Sequence, residues 1–329
     1  MVVQVPMMDA AAISTALPVA ACIEAMANAL RSLDRGDVTQ PLRSVIHIPA
    51  SSGSLYTMPA YIAEPQALAV KLITIFHGNE TGPLPTHQGI VVVFDPQTGR
   101  PSLLLDAARL TAIRTAAVSA VATRALATDD AAILAVLGTG VQARSHIEAI
   151  PLVRPIREVR VWGRRRERAE RLALEAGGSV QSGNATLAVI VCDSAEEAVA
   201  GADVVCTATS AAEPVLRGRW LRPGVHINAI GSSTAHAREV DSAAVQMSLI
   251  FVDSVDAALT EAGDLLIPAR EGATSAKDWT PIGAVLNGSA PGRGAPADVT
   301  LFKSVGLAIE DAAAAAHIAQ GLQLSGAEA

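Results

Sequence analysis

In the first third of the chain, apolar and polar positions alternate over short runs bounded by turn formers. That pattern predicts strands at Ser44–Pro49, Ser54–Ala63, Ala69–Phe76, Gly89–Phe94 and Pro101–Asp106. A helical period precedes them from Ile13 to Gly36, and an Ala-rich helix follows from Leu110 to Leu126. From Ala131 to about Asp253 the pattern changes: ILAVLG, VRVWG, VIVCD, ADVVCTAT, VHINAIG and LIFVD alternate with helical stretches, as a parallel sheet requires. A Gly/Pro-rich loop, Asn287–Pro296, then leads to a closing helix expected around Leu301–Gln320. The expected fold is α/β. A Rossmann-type doubly wound domain spans residues 121–300, and a strand-rich α+β domain spans 1–120, completed by the C-terminal helix in 301–329.

Composition narrows the function classes. With 329 residues, half of them apolar, and a net charge of −7, the chain is long enough for two cores and does not attract phosphate backbones. Aromatics make up 3% and no basic face is visible, so no nucleic-acid partner is expected. The apolar runs are too short or too interrupted to span a bilayer, and MVVQVPMMDAAAIS lacks the layout of a secretory signal. Cys22, Cys192 and Cys206 are odd in number and unclustered, which fits buried thiols in a reducing cytoplasm.

The most informative stretch is AAILAVLGTGVQARSH, Ala131–His146, where an apolar strand pattern runs through Gly138, Thr139, Gly140, Val141 and Gln142 into a helix. Gly138 permits the tight turn, Gly140 lets the backbone approach a pyrophosphate, Ala143 allows close helix-strand packing, and the helix N-terminus faces the anion. After the second strand, an NAD-selective site usually places a carboxylate; here Trp162 runs into Gly163, Arg164, Arg165 and Arg166. Guanidinium groups at Arg164 and Arg165 suit a ribose 2′-phosphate, so NADPH is the expected cofactor and NADH an acceptable one. A solvated start to the next helix is the plainer alternative. Thr207, Ala208 and Thr209 follow one strand, and Gly231 and Ser232 another; these positions are expected along the nicotinamide half of the cofactor.

Only three of the 25 basic residues are lysines, Lys71, Lys277 and Lys303. Lys71 interrupts LAVKLITIF, where an ammonium is costly to bury unless it is paired or holds a ligand, or else the strand is an edge and Lys71 faces water. The next segment, HGNETGPLPTHQG, offers His77, His87 and a glutamate, yet the separation of the histidines is not a metal-ligand spacing, and a metal-free loop is expected. Glu261 and Asp264 read as structural, and Lys303 as opening the final helix.

Several motifs in order resemble the ornithine cyclodeaminase/mu-crystallin family along nearly the whole chain. They are Lys71 in its apolar strand, TAIRTAAVSA, GTGVQA, CTAT, PGVHINAIGS, VDSVDAALTEAGDL and LFKSVGLAIEDAAAA. The resemblance implies a homodimer whose first domain supplies the substrate site and the subunit contact. It also implies that Arg43, Lys71 and Arg114 hold the substrate carboxylate, with Lys71 able to move a proton. Taken alone, Arg43 also suits a surface salt bridge and Arg114 a helix-face ion pair. Cyclodeaminases and alanine dehydrogenases resembling this chain carry Asp where Ser233 stands, and serine cannot serve as an anionic anchor. His236 and Asp241 are the nearest substitutes in sequence, a less economical arrangement. The resemblance therefore implies NAD(P)H-dependent reduction of a preformed cyclic imino acid, Δ1-pyrroline-2-carboxylate or Δ1-piperideine-2-carboxylate. Cyclodeamination, an alanine dehydrogenase-like reaction and a non-enzymatic ligand-binding role are the alternatives.

Overall fold

The computed structural model describes residues 5–327 apart from 52, 77, 80, 81, 178–180, 183 and 184, so the reading of His77 lies outside the described residues. The chain forms two units, residues 1–115 with 307–329 and residues 116–306.

The first unit is built on one sheet. Its strands are β1 (Met7–Met8), β2 (Val38–Thr39), β3 (Ser44–Ile48), β4 (Gly53–Ile62), β5 (Ala67–Phe76), β6 (His87–Phe94) and β7 (Pro101–Asp106). The order is β1-β7-β6-β5-β4-β2, with β3 also on β4; every pair is antiparallel except β1 with β7. In β5 the alternation of buried and half-buried positions is regular, and the C-terminal helix Ala308–Ala327 packs across β4 and β5 and against the helix Val19–Arg35. The single N-terminal helix predicted from Ile13 is two, Ala10–Ala16 and Val19–Arg35. Pro18 lacks the amide that would continue the ladder and restricts Leu17, so the helix breaks there. Among the described residues no single helix is long and apolar enough to cross a membrane.

The second unit holds the parallel sheet: β8 (Ile133–Leu137), β9 (Glu158–Trp162), β12 (Ala188–Val191), β13 (Val204–Thr207), β14 (His226–Ala229), β15 (Ser248–Val252), β16 (Trp279–Pro281) and β17 (Val299–Lys303). A short antiparallel pair, β10 (Gln181–Ser182) and β11 (Ala185–Thr186), stands apart. The order is β12-β9-β8-β13-β14-β17-β15-β16, parallel throughout. Val299–Lys303 corrects the sequence expectation, which began the last helix at Leu301 and closed this domain at residue 300. VTLFK is buried at every position, and a short run that is apolar on both faces gives no period to separate strand from helix. The helix itself starts at Ala308.

Candidate functional site

Each unit presents its own set of chemically distinctive residues. In the first, Lys71 lies on β5 opposite Met58 of β4 and Val91 of β6, so it is interior to the sheet and not on an edge. It is 3% exposed, and its Nζ lies 2.6 Å from Asp311 Oδ2. Arg114 is equally buried; its Nε lies 3.1 Å from Asp311 Oδ1, and its Nη1 pairs with Glu310. Both carboxylates sit in the first turn of the C-terminal helix, where Gln40 Oε1 accepts the Ile309 amide at 3.1 Å. Asp311 thus bridges Lys71 and Arg114, two of the three cations that sequence reading singled out. The register Ser44↔Thr57 sets Arg43, half-buried at the start of β3, near the row containing Met58 and Lys71.

The electrostatics follow from burial and pairing. Desolvation pushes the Lys71 ammonium down to about 8, Asp311 opposes this, and the Arg114 and Arg43 charges lower it further. Asp311 itself stays below the ordinary carboxylate range: burial would raise it, but Arg114 and Lys71 outweigh burial. Burial likewise opposes the charge on Arg114, and Asp311 and Glu310 more than offset it. Beside them the Cys22 thiol is pushed up to about 12, chiefly by burial, which makes it a packing group and not a nucleophile. An unpaired buried charge costs several kcal/mol, so this paired arrangement is what permits two cations inside an apolar sheet-helix layer. Two carboxylates balance Lys71 and Arg114, and the Arg43 charge is felt at Lys71. Paired with Asp311, Lys71 can hold a proton at Nζ.

In the second unit the fingerprint has the geometry of a phosphate cradle. Gly138 adopts φ +136°, and a Cβ there would stand 2.3 Å from the Ala208 carbonyl oxygen. Ala143 is fully buried, as close helix-strand packing demands. Gly140 precedes the helix Val141–Ala149, has no side-chain cap, and has nothing within 4 Å of an added Cβ. Thr139 is half-buried against Gly163, Val141 is exposed, and Gln142 is half-buried. These features fit a dinucleotide: open backbone donors at a helix start, and glycines exactly where a side chain would obstruct. Arg164 and Arg165 are exposed, with no ion pair among the described residues, whereas Arg166 pairs with Glu170 and Asp193.

Other expectations change. Thr207 is fully buried with its hydroxyl on Glu239, 2.8 Å away, and Ser232 is buried with its hydroxyl on the Ala237 carbonyl, so both support the strand ends from below. Ala208 and Thr209 are half-buried, and Gly231 is exposed. Ser233 and His236 are exposed on the loop after β14. Asp241 caps the helix Ser242–Gln246 and accepts the Gly218 amide, which commits it to structure. Lys303 does not open a helix; it ends β17, wholly buried, 2.8 Å from Asp264. Sequence reading assigned no role to Glu239, Glu310 or Asp311. For Glu310 and Asp311 the signal was a pair of carboxylates inside an apolar run, IEDAAAAA; Glu239, beside Arg238 and near Asp241, gave none. Among the described residues no group of three or more His, Cys, Asp or Glu could hold a metal ion.

The chain is 41% identical over 291 residues to the ketimine reductase mu-crystallin of Mus musculus, spanning 88% of this chain and 87% of that protein. It is 36% identical over 292 residues to a Δ1-pyrroline-2-carboxylate reductase of Bacillus cereus, spanning 88% of each. Among solved structures, the Thermococcus litoralis Δ1-pyrroline-2-carboxylate reductase in complex with NADH and L-proline superimposes with a TM-score of 0.93 at 34% identity, covering 98% of both chains. The ornithine cyclodeaminase/mu-crystallin family model matches residues 4–325, and the chain belongs to that family.

Proposed function

We propose that this protein reduces a small cyclic imino acid, Δ1-pyrroline-2-carboxylate or Δ1-piperideine-2-carboxylate, to L-proline or L-pipecolate at the expense of NAD(P)H. The observation that carries the reading is Lys71, buried, 2.6 Å from Asp311, with its ammonium lowered to about 8. Such a group delivers a proton to an imine nitrogen near neutral pH. Arg43 and Arg114 bind the substrate carboxylate, the latter through guanidinium N–H groups that Asp311 and Glu310 do not take, and those two carboxylates keep the cations in place. Gly138, Thr139, Gly140, Val141 and Gln142 hold the pyrophosphate, and Ala208, Thr209 and Gly231 border the nicotinamide half. A bound reduced nicotinamide supplies hydride for the imine carbon. Ser233, uncharged and exposed, offers no anchor for a distal amine, which separates this reading from cyclodeamination. With cofactor deuterated at the transferred position, the imine is expected to yield L-proline or L-pipecolate labelled at C2; unlabelled product would sink the proposal.

Two consequences are measurable. Protonated Lys71 is the active form, so kcat/KM falls as pH rises through about 8, and Arg43→Ala, by removing a charge that lowers Lys71, moves this limb upward. A kcat/KM flat to well above that pH contradicts the role given to Lys71. Exposed and unpaired, Arg164 and Arg165 favour NADPH over NADH. Replacing both by serine is expected to raise the NADPH Kd roughly 10–100-fold, the worth of one or two charge-assisted hydrogen bonds, with the NADH Kd nearly unchanged. Equal effects on both cofactors would refute the selectivity. The reading extends to a homodimer in the cytoplasm: β3 leaves Ile46 and Leu42 beside it more than half exposed, the kind of apolar edge that a second subunit covers, and all three cysteines are free and buried.

A further inference from the structure

Two strand ends of the second unit converge on one carboxylate that the proposed chemistry does not use. Glu239 is completely excluded from solvent. Its Oε1 accepts the Thr209 amide at 2.6 Å and the Thr209 hydroxyl at 2.7 Å; its Oε2 accepts the Gly231 amide at 2.6 Å and the Thr207 hydroxyl at 2.8 Å. Four donors on two oxygens are the surroundings of an ionised carboxylate and leave no acceptor set aside for an acid proton. Behind it, Asp264 Oδ1 accepts the Glu239 and Val240 amides at 2.5 and 3.1 Å, and Asp264 Oδ2 meets Lys303 Nζ at 2.8 Å. Lys303 also donates to the carbonyls of Ala229 and Ser232. Two carboxylates against one ammonium leave this buried group with one negative charge in excess.

Nothing bulky intervenes between that charge and the surface of the strand ends. A Cβ on Gly231 would stand 2.2 Å from the Thr209 carbonyl oxygen and 2.5 Å from Glu239 Oε1, so the exposed backbone of Gly231 lies directly on the carboxylate. Gly138 meets the Ala208 carbonyl equally closely. Burial and Asp264 raise the Glu239 carboxyl above its ordinary value against the pull of Lys303 and the two Thr209 donors, so its charge is held at a cost. An apolar residue there would leave all four donors without their acceptor, so the carboxylate holds the Thr209 and Gly231 backbones while keeping its charge against the desolvation penalty.

We infer that Glu239 is a positioning residue that fixes the Thr209 and Gly231 backbones and biases this edge toward the oxidised form of the dinucleotide. This rests on the reading that the dinucleotide binds along the fingerprint and these strand ends. The oxidised nicotinamide ring carries a positive charge that the reduced ring lacks, so a buried net negative charge stabilises it selectively and favours departure of hydride. Removing one charge from the group is expected to raise the Kd of oxidised cofactor relative to reduced on the order of tenfold, the size of a single charge interaction across several ångströms of protein. A residue with a structural role alone would weaken both forms equally.

The test is titration calorimetry of NADP⁺, NADPH, NAD⁺ and NADH against the wild type, Glu239→Gln and Asp264→Asn, with thermal melts to establish folding. Asp264→Asn keeps an oxygen for the Glu239 and Val240 amides while removing charge, so it carries the test where Glu239→Gln does not fold. A rise in the oxidised-to-reduced Kd ratio in a folded variant is the expected result. An unchanged ratio, with or without a common loss of affinity, overturns the inference. A wild type that binds none of the four overturns instead the dinucleotide reading beneath it.

Discussion

Lys71→Ala is expected to lower kcat for cyclic imine reduction by about 10²–10⁴-fold, the usual worth of a positioned proton donor, with dinucleotide affinity unchanged. The separation is the point of the experiment, because Lys71 belongs to the first unit and the fingerprint to the second. Loss of the ammonium also deprives Asp311 of its 2.6 Å partner inside a dry layer. Breaking a buried pair costs about 3–5 kcal/mol, although Arg114 still compensates part of the Asp311 charge. Melting curves and Lys71→Met, which keeps the aliphatic stem, distinguish a lost proton from a lost fold. A folded Lys71→Ala protein with undiminished turnover would remove Lys71 from the chemistry.

The second large effect is a contrast between two glycines. Gly138→Ala is expected to destabilise the second unit by roughly 1–3 kcal/mol and to weaken dinucleotide binding at least ~100-fold, because φ +136° is strained for any L side chain and the new Cβ collides with the Ala208 carbonyl. Gly140→Ala meets no protein atom within 4 Å, so the protein should keep its melting temperature to within a few degrees while losing affinity, since the added methyl fills the space kept for a pyrophosphate. If Gly140→Ala bound dinucleotide as tightly as the wild type, the stretch from Gly138 to Gln142 would be an ordinary turn.

What the sequence revealed and what it concealed have distinct physical reasons. The fingerprint was legible because its requirements are local: a strand, glycines with defined conformational duties, and a helix, all within one stretch. Lys71 was legible because a charge in an apolar alternation is anomalous by itself, but its surroundings were not. Whether β5 lies at an edge or in the interior is decided by β4 and β6 pairing on both sides, a non-local fact. Glu310 and Asp311 stayed hidden for the same reason, since they act across more than 190 residues of sequence on Arg114. Acidic residues in the first turn of a helix are ordinary on electrostatic grounds, which masked their second task. Val299–Lys303 was misread because a strand buried on both faces has no period. Glu239 escaped notice because its importance lies in the donors it collects from β13 and β14, which the chain brings together only on folding.

The central claim, reduction of a preformed imine, is tested most directly by stoichiometry. The purified protein would be incubated with NADPH or NADH and Δ1-pyrroline-2-carboxylate or Δ1-piperideine-2-carboxylate, and in parallel with oxidised or reduced cofactor and L-ornithine, L-lysine or L-alanine, while cofactor, ammonia and imino-acid product are quantified together. The account predicts one L-proline or L-pipecolate formed per reduced cofactor consumed, faster with NADPH, and no ammonia from the amino acids. Ammonia released from a diamine without net change in cofactor, and no turnover of either imine, would contradict it.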